Sequence, residues 1–210
     1  MRVLIVIAYL GAWLGWAGHG AHPDAAAVSQ GPATSPDTLR VDAERTVLRW
    51  KGTKFWGLGK HEGTVRVASG TLYVHEERLL GGSFIIDMTS IEVTDIPARE
   101  PVPRKRLRDH LLSDDFFAAA TYPTAAFVLT NVTQQQDPIY ELTGDLTMRG
   151  QTHPVTLEAE IQTASPDKLE AWARFSLDRQ RWGVAYQGSS LTDDLVDDEI
   201  HLDLHLLAGK

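Results

Sequence analysis

The stretch Ile200-His201-Leu202-Asp203-Leu204-His205-Leu206 decides the fold class. Four aliphatic side chains occupy every second position and polar side chains fill the gaps. Successive side chains of an extended chain point to opposite faces, so this segment has one dry face and one wet face. Working outward, the same period of two recurs. Leu169-Glu170-Ala171-Trp172-Ala173-Arg174-Phe175-Ser176-Leu177 alternates throughout, and so does most of Val155–Ile161. Thr46–Lys51 puts Leu48 and Trp50 on one face. Shorter β-rich runs are Thr64–Val67, Thr71–Val74, Ser83–Met88, Ile91–Val93, Ala126–Thr130 and Tyr140–Thr143. Ser69-Gly70 reads as a hairpin break between the first two of these, and Gly81-Gly82 opens the third. No helical pattern alternates with the strands, which argues against a doubly wound parallel sheet. The reading is an all-β antiparallel domain, and periodicity leaves a sandwich and a barrel both open.

One insert breaks the alternation. Pro97–Pro103 is loop-like, and Arg104–Leu112 reads as a short helix with Leu107 and Leu111 on one side. Ser113-Asp114 offers an N-cap to a following turn, and Tyr122-Pro123 ends it.

The N-terminus is of another kind. Arg2 precedes an uncharged apolar run of about 15 residues, shorter than the ~20 of a membrane span. Ala25-Ala26-Ala27 offers a cleavage point. Residues 1–27 are therefore expected to be a signal peptide or an N-terminal anchor. Residues 28–38, rich in Pro, Ser, Thr and Ala, are expected to be a flexible linker, and residues 39–208 the folded domain. The expected location is periplasmic or secreted, with membrane association through the N-terminal segment if it is not cut.

Composition narrows the function. The chain has 210 residues, 20 Lys+Arg against 28 Asp+Glu, a net charge of -8 and no cysteine. An acidic domain is a poor nucleic-acid binder, so no nucleic-acid partner is expected. The lack of cysteine removes thiolate nucleophiles, disulfides and Cys-ligated zinc. No Gly-x-Ser-x-Gly elbow, phosphate loop or zinc-helix motif occurs. His201, Asp203 and His205 share a strand face, and Asp193-Asp194 with Asp197-Asp198-Glu199 is acidic. Both read as solvated surface, so neither a metal nor a cofactor is expected.

Several ordered segments resemble the YceI-like family of lipid- or polyisoprenoid-binding domains. They are His61-x-Gly63, Gly81–Ile91, His110–Phe117, Tyr122–Phe127, Tyr140–Gly150 with His153-Pro154-Val155, and Asp178-Arg179 with Trp182-Gly183. The sequence departs from many relatives at Gln180-Arg181. The resemblance covers roughly Leu39 to Leu207. It implies an eight-stranded lipocalin-like barrel with a short helical insert, holding an isoprenoid, isoprenoid quinone or fatty chain for transport, storage or sequestration.

Alternation then nominates the inward side chains: Trp50, Leu72, Phe84, Ile86, Phe127, Leu142, Leu157, Phe175, Leu202 and Leu204. Each is expected either to contact a ligand or to pack a core. Arg104, Lys105, Arg108 and Arg179 are candidates for an anionic head group. The expected partner is thus a long-chain lipid, bound by a monomer or homodimer that performs no catalysis. Two other readings stay open. One is an enzyme using His61 with His110 or Asp145 at the barrel mouth; the other is an adaptor with a filled core.

Overall fold

The alternating segments pair with their neighbours into one closed sheet. The computed structural model describes residues 35–54, 57–165, 167–185 and 196–210. The expected signal or anchor, most of the expected linker, Phe55, Trp56 and Asp193-Asp194 lie outside the described residues. The strands are β1 (Asp37–Val41), β2 (Val47–Lys54), β3 (Gly59–His75), β4 (Arg78–Val93), β5 (Thr124–Gln136), β6 (Ile139–Met148), β7 (Gln151–Ser165), β8 (Lys168–Asp178) and β9 (Val196–Gly209). One helix, α1 (Pro101–Leu112), separates β4 from β5, and a 3-10 turn, Arg179–Trp182, follows β8.

All described pairings are antiparallel. The order β3-β2-β9-β8-β7-β6-β5-β4 closes because β4 returns to β3. This is an eight-stranded antiparallel barrel, the size whose interior holds packed side chains or one small ligand. β1 adds no ninth position. It pairs with the far half of β3, from Asp37↔Val74 to Arg40↔Thr71, and with the end of β9 at Val41↔Ala208. β2 takes the near half of β3, from Lys54↔Gly59 to Leu48↔Val65, and β9 from Lys54↔Val196 to Val47↔His205. The two strands are one barrel position broken at residues 42–46. The break is held by hydrogen bonds from its two ends. The Asp42 carboxylate accepts from the N–H groups of Glu44 and Arg45 at 3.1 Å. The Thr46 hydroxyl donates to the Leu207 carbonyl and accepts from the Leu207 N–H.

Several local expectations are corrected. Ser69-Gly70 is no hairpin: β3 runs through it with register shifts between Val67 and Ser69. Glycine is needed there because a Cβ at Gly70 would lie 2.6 Å from Val41 and 2.7 Å from Phe84. Gly81-Gly82 likewise lies inside β4, where a Cβ at Gly82 would meet the Thr71 carbonyl at 2.6 Å. The break between β3 and β4 falls instead at Glu76 and Glu77, both in left-handed backbone. α1 starts at Pro101, earlier than Arg104, since proline suits the first helical turn. A turn does follow Ser113, but its side chain does not cap it: the hydroxyl donates back to the His110 carbonyl at 2.8 Å, and the Ser113 carbonyl accepts from the Phe116 and Ala118 N–H groups. β1 begins at Asp37, inside the stretch read as linker, and the Asp37 carboxylate meets Lys210 Nζ at 3.1 Å.

The barrel has two unlike ends. The floor, where β3 and β9 finish, is plugged by buried Leu39, Leu72, Val74, Leu79, Tyr140, Ile161, Leu169 and Ala208. The other end carries α1, the 3-10 turn and the starts of β3 and β9. Trp182, fully buried there, donates its indole N–H to the Leu146 carbonyl at 2.9 Å and packs with Phe116, Leu146, Val155 and Val184.

Candidate ligand cavity

The residues that alternate inward leave a hole. A cavity of about 980 Å³ runs inside the barrel, lined by aliphatic and aromatic side chains from every barrel strand. That volume lies at the top of the usual range for small-molecule sites. All ten nominated residues line it: Trp50, Leu72, Phe84, Ile86, Phe127, Leu142, Leu157, Phe175, Leu202 and Leu204. Phe84 and Phe127, paired in register across β4 and β5, stack at 6.3 Å with 18° between their planes. Gly144 makes room for that pair, since a Cβ there would lie 2.4 Å from the Phe127 ring. Deeper side chains missed by the short list include Leu79, Ile161, Leu169 and Leu206. The same alternation could have found the last three; Leu79 is out of step with Phe84 and Ile86 because the β3–β4 register shifts between Tyr73 and Val74.

Polar side chains enter the lining only near the α1 end. Among the described residues they are Thr53, Lys54, His61, Arg106, His110 and Arg179. Lys54 ends β2 opposite Val196, and His61 lies near the start of β3 opposite Gly52. Arg106 and His110 come from α1, one turn apart beside Leu107 and Leu111, which also line the cavity.

The nominated head-group residues divide. Arg104 and Arg108 face Glu92 at 3.9 and 3.1 Å, and Arg108 also donates to the carbonyls of Ile91 and Thr89. Lys105 pairs with Asp109 one turn on. None of these three lines the cavity; they fasten α1 to β4 or face solvent. Arg179 does line it, at 1% exposure. Its guanidinium donates to the carbonyls of Val184 (2.7 Å), Val196 (3.0 Å) and Asp197 (3.2 Å) and meets Asp198 at 3.4 Å. It ties the start of β9 to the 3-10 turn. Asp178 caps that turn by accepting from Gln180 N–H, and Gly183 ends it in left-handed backbone.

The groups named for catalysis also divide. His61 Nδ1 lies 2.9 Å from Asp95, whose other oxygen accepts from the Glu62 N–H at 3.1 Å. His61 and His110 both line the cavity, whereas Asp145 does not. The polar stripe on β9 lies on the outer surface and is engaged with β8: His201 with Ser176 at 2.8 Å, Asp203 with Arg174 at 3.2 Å, and His205 with Glu170 at 2.7 Å. The His205 ring also stacks on Trp172 at 5.1 Å.

A closed antiparallel barrel with an apolar interior and a helix at its polar end defines a lipocalin-like architecture. The chain belongs to the YceI-like domain family, whose sequence profile matches residues 39–208. It is 32% identical over 132 residues to a UPF0312 protein of Vibrio cholerae, covering 58% of this chain and 68% of that one. It is 50% identical over 52 residues to Protein YceI of Escherichia coli O157:H7; that match spans 25% of this chain and 27% of the relative. The fold is similar to that of BcnA from Burkholderia cenocepacia, with TM-score 0.66, 20% identity, and coverage of 80% of this chain and 98% of that one. It is also similar to a polyisoprenoid binding domain from Saccharophagus degradans implicated in plant cell wall breakdown, with TM-score 0.57, 15% identity, and coverage of 81% and 97%.

Proposed function

We propose that this protein binds one elongated apolar molecule, an isoprenoid or fatty chain, inside its barrel, and that it works outside the cytoplasm as a carrier or store. The observation that carries this reading is the cavity of about 980 Å³, apolar along the barrel and, among the described residues, polar only near α1. Burying a methylene contributes about 0.8 kcal/mol. A tail of about ten such units therefore gains roughly 8 kcal/mol before the costs of ordering it. Such a gain needs a dry channel and few anchors, which is the arrangement here. The polyisoprenoid-binding description of the Saccharophagus relative supports the same ligand class. The apolar run after Arg2 supports export. A volume this large speaks against a filled core, and a carrier requires no chemistry of its ligand.

The test is native mass spectrometry of the protein as purified, followed by solvent extraction of the bound material. One bound isoprenoid or fatty species per chain is the expected result. A mass equal to the bare chain, unchanged after incubation with isoprenoid quinones and fatty acids, would overturn the reading.

A further inference from the structure

We infer that the barrel selects amphiphiles with an anionic head, a carboxylate or a phosphate, and that Arg106 is the residue that selects them. This rests on the tail-binding reading and adds the chemistry of the other end of the ligand.

The first observation is a contrast in charge. The chain carries 28 acidic residues against 20 Lys+Arg. Yet among the described residues no carboxylate lines the cavity, and its ionisable side chains are Lys54, His61, Arg106, His110 and Arg179. The nearby acids are turned to other partners. Asp95 is held by His61 and the Glu62 N–H, and Asp197 accepts from the Thr53 hydroxyl. Asp115 stands 3.8 Å from His110. Among the described residues, the side chains that line the polar end of this channel therefore include basic groups and no carboxylate.

The second observation separates Arg106 from the other cations of α1 and from Arg179. Arg104 and Arg108 are matched by Glu92, and Lys105 by Asp109. Arg179 is spent on three main-chain carbonyls. Arg106 is exposed, lines the cavity and has no acidic partner among the described residues. A guanidinium presents a planar fork that matches a carboxylate or a phosphate with two parallel hydrogen bonds. Leu107 and Leu111 place this fork where the apolar lining ends, so a tail seated in the barrel brings its head to it.

The experiment uses the full chain, stripped of lipid, with three probes of equal tail: palmitate, hexadecyl phosphate and hexadecanol. Affinities are read by competition in native mass spectrometry at submicellar concentrations. One or both anions should bind about tenfold more tightly than the alcohol, a typical gain for a charge-assisted pair. Which anion leads tells a phosphate head from a fatty-acid head. Arg106→Gln should bring the ratio close to one, while Lys105→Gln, on the same helix but outside the lining, should keep it. Equal affinity for alcohol and anions, or a preference that survives Arg106→Gln, would overturn this inference and leave tail binding standing. Failure of all three probes to bind would overturn both.

Discussion

Arg179 shows how much of the polar end depends on one buried side chain. Its guanidinium satisfies three carbonyls from two chain segments that otherwise have no common strand pairing. Arg179→Ala removes those donors and leaves the carbonyls buried. The expected cost is about 3 kcal/mol, the range for losing hydrogen bonds to a charged group in the interior. Urea denaturation of the variant against the parent chain measures it. Asp87 makes a prediction of another kind. Hydrogen bonding from Thr89, aided by Arg66, holds its carboxyl below the ordinary value of 3.8 against a smaller opposing effect of burial. A group whose folded value is depressed stabilises the fold above its unfolded value, and that contribution is lost as the pH falls through the folded one. Asp87→Asn should therefore lower the melting temperature at pH 7. The difference should shrink as the pH falls below 3.8. Melting curves of both chains across that range check the sign.

At the scale of the strand, glycine positions set how closely neighbours approach. A Cβ at Gly63 would lie 1.8 Å from the Glu92 carbonyl and 2.7 Å from the Trp50 ring. Gly63→Ala should force β3 from β4 beside the cavity and destabilise by about 1–3 kcal/mol, the usual cost of overpacking. Thermal unfolding would show it, and a neutral result would mean that the sheet yields there. These glycines also explain what the sequence concealed. Alternation on β9, β8 and β7 was legible because one face of each strand is apolar and the other faces water. It failed on β3 and β4 because Gly70 and Gly82 imitate turns while serving close packing. On α1 the spacing of Leu107 and Leu111 marked the inner face. Pro103, Arg106 and His110 also line the cavity, whereas Arg104, Lys105 and Arg108 do not. Helical phase does not separate these cations, because Arg104 stands three residues before Leu107 and seven before Leu111 and shares their side; pairing with Glu92 is what draws Arg104 and Arg108 toward β4. The inward strand residues needed no such phase, because a strand has only two faces. What periodicity could not supply was the empty volume, which depends on how eight strands close and not on any one of them.

At the scale of the whole molecule, the cavity is a volume and can be filled. Ala173 lies on its wall, buried, opposite Leu204 on β9. Ala173→Trp should occupy space that a tail would use. Uptake of palmitate should fall by at least about tenfold, since a displaced segment of tail forfeits its burial energy. The melting temperature of the lipid-free chain should change little, because the added ring enters empty space instead of packed core. Native mass spectrometry and calorimetry on one preparation separate the two effects.

The broken barrel position has a further consequence. Because β1 lies against the far half of β3, its first residue, Asp37, comes to rest beside Lys210 at the floor of the barrel. α1, Arg106 and the starts of β3 and β9 stand at the opposite rim. An affinity handle or surface linker appended at either end of the described barrel would thus grip the molecule from beneath. Captured on a sensor chip in that way, the protein presents its rim upward to the flowing solution, unobstructed by its own attachment.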